Sequence, residues 1–146
     1  KSKNREYLRQ GYWTGPPPLG YIRDPRYRDD KRFRDILPDP ERFHLVRDIW
    51  QLILSGEVPA EVLARANDVW DIRTPQRKSR GGKPLSKTAF YRMLRDKFYT
   101  GLMVRAGETY QGGHEPMITL DEYKRVQAIL EGRTHPGQGQ RRLVFP

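Results

Sequence analysis

SKTAFYRMLRDKF, residues 86–98, is the stretch on which the reading of this chain turns. Ser86 is a good N-cap, and at 100° per residue Ala89, Phe90, Met93 and Leu94 fall on one side of a helix. Thr88, Tyr91, Arg92 and Arg95 cluster on the opposite side, and Lys87 at the helix start joins them as a candidate DNA contact. The spacing therefore predicts a helix over 87–98 that buries its apolar side in a core and holds the other side outward. A solvated face normally mixes charges of both signs. This one offers guanidinium forks, a hydroxyl and a phenol, the groups that hydrogen-bond base edges and phosphates in a major groove.

The surroundings strengthen that reading. Residues 73–97 carry nine Lys or Arg against one acid, Asp96. Residues 37–72 hold three basic groups against seven acidic, and residues 98–131 three against five, so the net charge of +10 is concentrated rather than spread. Clustering is what builds an attractive potential for a polyanion. Five of the cations, Arg73, Arg77, Lys78, Arg80 and Lys83, lie in a loop from Ile72 to Leu85 that has almost no apolar residue and contains Gly81-Gly82. Such a loop is expected to be mobile unless a ligand orders it.

Two helices are expected before the basic loop. Asp39 reads as an N-cap with Pro40 at the first helical position, opening a helix that stops near Gly56. Its apolar arc runs through Phe43, Leu45, Val46, Ile49, Trp50, Leu52, Ile53 and Leu54, leaving His44, Asp48 and Gln51 to water. Residues 59–69 form the second, with Val62, Leu63 and Ala66 inward. Three helices in this order, the third presenting its outer face, are compatible with a helix-turn-helix-like arrangement. After Gly101, LMVRAGETYQG reads as a hairpin turning near Ala106-Gly107. Thr119 to Glu122 is a capping box opening a fourth helix, with Leu120, Tyr123, Val126, Ile129 and Leu130 as its stripe and Gly132 as its close.

Upstream, KSKNREYLRQ (1–10) reads as the end of a helix stopped by Gly11, and GYWTGPPPLGY (11–21) as an extended linker, because three successive prolines remove amide donors. Residues 22–34 have no clean period and are expected to be irregular or a strand fragment. The expected fold class is thus mainly α with a small β-hairpin: a helical domain over 37–131, an interdomain helix end and extended basic linker over 1–36, and a second linker over 132–146. A start at Lys1 without Met suggests a piece of a longer chain.

Other classes find little support. With zero Cys there is no disulfide and no thiolate metal site. No run approaches a membrane span. None of the four serines has a His and carboxylate placed beside it in sequence, so no catalytic residue is assigned. His114-Glu115 followed by Pro116 does not make a zinc-binding helix, and a turn with His114 bonded to backbone is favoured. His44 and His135 are read as surface residues. No cofactor or metal is expected.

A resemblance then emerges from five pieces in order. Gly-x-Trp-x-Gly before Pro-Leu-Gly-Tyr (11–21), Pro-Asp-Pro-Glu before an amphipathic helix (38–54), Tyr-x-Gly (99–101), His-Glu-Pro-Met-Ile (114–118) and Glu-Tyr-x-x-Val-Gln-x-Ile-Leu (122–130) together resemble the recombinase domain of large serine recombinases, the phage integrase type. Met117 stands where Ile is usual, and Asp96-Lys97 where Asn-Pro often precedes Tyr-x-Gly. The resemblance implies binding of part of an attachment half-site in double-stranded DNA, with the linker along the minor groove and the helical domain in the major groove. It also implies a separate serine-nucleophile domain upstream, a zinc ribbon downstream, a cytoplasmic setting in a bacterium or phage host, and self-association of the whole protein. The isolated chain shows no long heptad seam and is expected to be monomeric. Arg5, Arg9, Arg23 and Arg26 in the linker region are expected to meet phosphates rather than bases. Tyr12, Trp13 and Tyr21 are read either as core plugs or as groups packing on deoxyribose. Two other classes remain open: an RNA-binding domain that stacks bases on its aromatics, and a protein-interaction module with an acidic partner.

Overall fold

The computed structural model describes residues 2–76 and 79–134. Among these, five α-helices surround a single core, and two short antiparallel ribbons are set against them. The helices are α1 (Ser2–Arg9), α2 (Phe43–Leu54), α3 (Pro59–Asp68), α4 (Lys87–Met93) and α5 (Leu120–Thr134). The ribbons are β1 (Tyr21–Arg23) with β2 (Ile36–Pro38), and β3 (Leu102–Arg105) with β4 (Glu108–Gln111).

The spine is α2, as its apolar arc requires: Val46, Ile49, Trp50 and Ile53 are fully buried, while His44, Asp48 and Gln51 are exposed. Each such side chain contributes on the order of 1.5–3 kcal/mol. The helix begins three residues later than the Asp39 cap predicts, at Phe43. Asp39 instead accepts from the Glu41 amide at 2.8 Å and pairs with Arg42 at 3.0 Å, and its own carbonyl accepts from the Arg42 and Phe43 amides. An Asx turn competing for the backbone uses those residues before the α-helix can. Val62 and Ala66 of α3 are buried as the pattern demands.

The capping box at the start of α5 forms as read: the Thr119 amide donates to Glu122 Oε1 at 2.9 Å and the Glu122 amide to Thr119 Oγ1 at 3.0 Å. Tyr123, Val126 and Leu130 line the core, but Leu120, at the first position of α5, is 40% exposed. Gly132 does not close α5, which continues to Thr134. In the β3–β4 turn, Ala106 and Gly107 both take positive φ, 53° and 80°, as a two-residue hairpin turn matched to strand twist requires.

Of the β1–β2 ribbon the sequence suggested at most a strand fragment within 22–34, not its pairing with residues 36–38. Tyr21 pairs with Pro38 and Arg23 with Ile36, so the expected boundary at residue 36/37 falls inside a paired strand. Leu8, Tyr21 and Ile36 all belong to the same core as the helices. The linker is accordingly part of the body: the Tyr99 hydroxyl donates to the Leu19 carbonyl and the Tyr21 hydroxyl to the Glu115 carbonyl, both at 2.6 Å. Between them Gly20, at φ +100°, lies against Val46 and Met117. At the linker's other end the Gly113 amide donates to the Gly11 carbonyl, which ties α1 to the end of β4.

Candidate nucleic-acid interface

The sequence places α4 by its two faces, and the structure agrees about which is which. Phe90, Met93 and Leu94 are buried, while Lys87, Thr88, Arg92 and Arg95 are exposed and Tyr91 is half-buried, its ring edge-on to Phe90. The helix is shorter than expected, ending at Met93. Asp96 ends it: its carboxylate accepts from the Phe98 amide at 2.9 Å and caps a new 3₁₀ turn, Lys97–Thr100. Arg95 therefore lies just past the helix, with its guanidinium 3.4 Å from the Tyr91 carbonyl. Burial raises the Asp96 carboxyl above the ordinary range.

Three polar side chains hold α4 in place: Asn67, which sequence reasoning did not single out, and Tyr123 and Gln127, whose bonds to α4 it did not foresee. Asn67 of α3 takes both backbone groups of Leu85, accepting from its amide at 2.8 Å and donating to its carbonyl at 2.9 Å. That clamp sits immediately before the Ser86 cap, whose hydroxyl accepts from the Ala89 amide. At the other end, Gln127 donates to the Leu94 carbonyl and the Tyr123 hydroxyl to the Arg95 carbonyl, each at 2.6 Å. These bonds from α5 satisfy carbonyls that a helix terminus otherwise leaves orphaned. Tyr123 and Gln127 belong to the Glu-Tyr-x-x-Val-Gln piece, so a polar residue inside an apolar stripe was the available signal.

The basic loop is pinned at its base. The Thr74 amide donates to the Lys83 carbonyl, the Gly82 amide to the Thr74 carbonyl, and Arg73 pairs with Pro84 in an isolated bridge. Gly81 and Gly82 have positive φ, and a Cβ on Gly81 would fall 1.9 Å from the Pro75 carbonyl oxygen. Arg73 is turned inward: it donates to the Asn67 and Ile72 carbonyls and pairs with Asp71 at 2.8 Å. Arg80 and Lys83 are exposed, and Arg77 and Lys78 lie outside the described residues. None of Arg80, Lys83, Lys87, Arg92 and Arg95 forms an ion pair among the described residues.

The linker residues divide. Arg5 and Arg9 are exposed on α1, Arg9 being 4.0 Å from Glu6. Arg23, expected to face phosphate, directs its guanidinium at three backbone carbonyls, those of Trp13, Gly15 and Arg34, at 2.7–3.2 Å. Burial holds its pKa below the usual arginine value. Trp13 takes the plug role: its ring meets Phe98 edge-on at 5.5 Å, its indole N–H donates to the Pro16 carbonyl, and Arg105 covers it at 4.8 Å. Tyr12 is half-buried beside it. Beyond Pro16 the linker runs beside α4, and the two enclose an apolar cavity of about 250 Å³ lined by Pro17, Pro18, Leu85, Ala89, Met93 and Tyr99 among others.

His114 is a packing residue. It stacks on Phe98 with ring centroids 3.7 Å apart, its Nε2 meets the Phe98 carbonyl, and burial lowers its pKa. Among the described residues no cluster of His and acidic side chains could hold a metal ion, and no helix is long and apolar enough to cross a membrane.

A family model described as Recombinase matches residues 40–133, well over half of the chain. The chain belongs to the Recombinase family. This recombinase domain shares its fold with two solved structures. One, described as concerning sequence requirements of the Listeria innocua prophage attP site, aligns with a TM-score of 0.64 and 16% identity over 89% of this chain and 50% of that one. The other, an LSR–DNA complex, gives 0.64 and 15% over 94% of this chain and 38% of its own. The recombinase domain thus spans half or less of the length of these neighbours. No curated protein matches the sequence.

Proposed function

We propose that this recombinase domain binds double-stranded DNA, with the outer face of α4 in the major groove and the basic loop and linker along the backbone, as part of a large serine site-specific recombinase recognising part of an attachment half-site. The observation that carries the reading is the composition of α4's outer face: Lys87, Thr88 and Arg92, with Arg95 just past the helix end, are exposed with no acid partner among the described residues, on a helix fixed at both ends by Asn67, Tyr123 and Gln127. A rigid mount is what base reading needs, because guanidinium forks discriminate only when their geometry is set in advance. The neighbours' recorded association with an attP site and with DNA points the same way. The serine-dependent strand exchange itself belongs, in this reading, to a part of the parent protein outside the chain.

Less supports the RNA reading: Tyr21 and Tyr99 are buried and Trp13 is packed between Phe98 and Arg105, which leaves half-buried rings such as Tyr12 and Tyr27 for stacking on unpaired bases. Footprinting on duplexes drawn from candidate attachment sites, beside scrambled duplexes and single-stranded RNA, tests the proposal. Protection of one duplex over its scrambled counterpart is expected. Tighter binding to single-stranded RNA, or no protection of any duplex, would overturn it.

A further inference from the structure

Away from α4, the molecule has a second concave surface built of cations and aromatic rings. It lies where α1, the linker and the β1–β2 ribbon meet, a cleft of about 370 Å³ whose lining includes Tyr7, Tyr12, Arg23, Tyr27 and Arg34 and, among the described residues, no acid. In a chain with 18 Asp and Glu, many of them paired with arginines nearby, that is a distinct environment. Arg26 has Asp24 and Arg32 has Asp30, but Arg34 has neither a carboxylate nor a hydrogen-bond acceptor for its guanidinium among the described residues.

Arg34 is nonetheless held in place. Its guanidinium carbon lies 4.1 Å from the centroid of the Tyr7 ring and 5.7 Å from that of Tyr27, and the side chain is half-buried. Arg23 sits on the same Tyr27 ring at 5.1 Å and donates to the Arg34 carbonyl, which fixes the backbone from which Arg34 projects. Two guanidiniums share one cleft with no anion between them, and the positive charge of Arg34 adds to the burial that lowers the Arg23 pKa. Five N–H donors in a planar fork, supported by an aromatic shelf and partly withdrawn from water, make a geometry suited to a tetrahedral oxyanion. Phosphate oxygens match that fork two at a time.

We infer that this cleft is a phosphodiester pocket, in which Arg34, levelled on Tyr7, takes one backbone phosphate of bound DNA and Arg23 is its positioning residue. The inference rests on the DNA reading above and adds a residue and a contact to it. The occupant follows from continuity: Pro16 lines this cleft and Pro17 lines the cavity against α4, so the linker joins the two surfaces within one residue. A strand carries one phosphate per about 3.4 Å of duplex axis, so a backbone following the linker away from α4 always has one to offer.

The test measures affinity of the whole chain for a footprinted duplex and its scrambled counterpart across a salt series, for the wild type, Arg34→Ala, Arg34→Lys and Arg92→Ala, with thermal midpoints to confirm folding. Arg34→Ala should weaken both duplexes by the same factor, about eightfold at 0.1 M salt, and reduce the salt slope by about 0.9. Arg34→Lys should keep the slope and lose part of the affinity. In a scan of duplexes bearing single methylphosphonate linkages, one linkage should weaken the wild type and leave Arg34→Ala unaffected. An unchanged slope in Arg34→Ala, or no linkage that distinguishes it, overturns the pocket; if Arg92→Ala still loses its preference for the footprinted duplex, the DNA reading survives that failure. A wild-type chain that binds no duplex sinks both. A titration of inorganic phosphate followed at the Arg34 Nε–H resonance separates the sources: saturation by free phosphate together with an unchanged DNA slope in Arg34→Ala would make this a small-anion site and refute the inference.

Discussion

Replacing Gly20 by Ala examines whether the linker is bolted to the helical body. Gly20 lies at φ +100°, and a Cβ there would sit 3.0 Å from Met117 Cε and 3.3 Å from Val46 Cγ2. The left-handed backbone costs an L residue about 1–2 kcal/mol. Crowding against a buried valine and a flexible methionine end adds about 1–2 kcal/mol. The reduced freedom of the unfolded chain returns about 0.4–1 kcal/mol, leaving a net loss of roughly 2–3 kcal/mol. With an unfolding entropy of about 2.1 cal/mol/K per residue, a domain of this size should lose about 7–10 °C in Tm. Calorimetry or far-ultraviolet circular dichroism reads that shift. In a Met117→Ala background the crowding share should shrink and the backbone share persist, giving a coupling of about 0.5–1.5 kcal/mol. A Gly20→Ala variant melting within 2 °C of the wild type, on the scale of ordinary surface substitutions at about 0.5 kcal/mol, would show that neither φ nor the Val46 and Met117 contacts constrain this position.

Further expectations concern the candidate interface and the core. Arg92→Ala should cost about 1–3 kcal/mol on the cognate duplex and relax preference at one base pair, whereas Lys83→Ala should weaken all duplexes alike and lower the salt slope by about one; equal effects of Arg92→Ala on cognate and scrambled DNA would count against base reading. Asn67→Ala removes both bonds to the Leu85 backbone and should cost about 1–3 kcal/mol, with faster amide exchange at Leu85; Asn67→Asp, which keeps only the acceptor, should fall between. Burial lowers the His114 pKa, so below the unfolded value of about 6.5 the unfolded chain takes up a proton first and stability should fall as pH drops through that window. The raised carboxyl of Asp96 acts in the opposite sense, so denaturant unfolding of the wild type and His114→Gln at pH 7.5 and 5.5 is compared directly: the variant should lose part of the acid-side decline.

What the sequence made legible follows the range of the interactions. The faces of α2, α4 and α5 and the Thr119–Glu122 box were readable because their determinants lie within four residues of one another. The ends of α2 and α4 were not, because Asp39 and Asp96 each have two uses for the backbone, capping a helix or closing a turn, and tertiary packing decides between them. The β1–β2 ribbon was hidden for a different reason: three-residue strands are too short to show alternation, and Pro38 in β2 argues against a strand unless it lies at an edge. At the interface the exposed cations of α4 were visible as a stripe, but the inward turn of Arg73 and Arg23 was not, since composition cannot tell a guanidinium that binds carbonyls from one that waits for phosphate. Arg34 escaped notice because its shelf, Tyr7, is far from it in sequence.

The grip of Arg23 on the carbonyls of Trp13, Gly15 and Arg34 bears on how fast and how faithfully a duplex could be engaged. A tether whose course is laid down beforehand surrenders little chain freedom at the moment of contact, so more of the contact energy survives as affinity. It also keeps a fixed spacing between whatever α1 and α4 each touch, which turns the linker from a leash into a ruler.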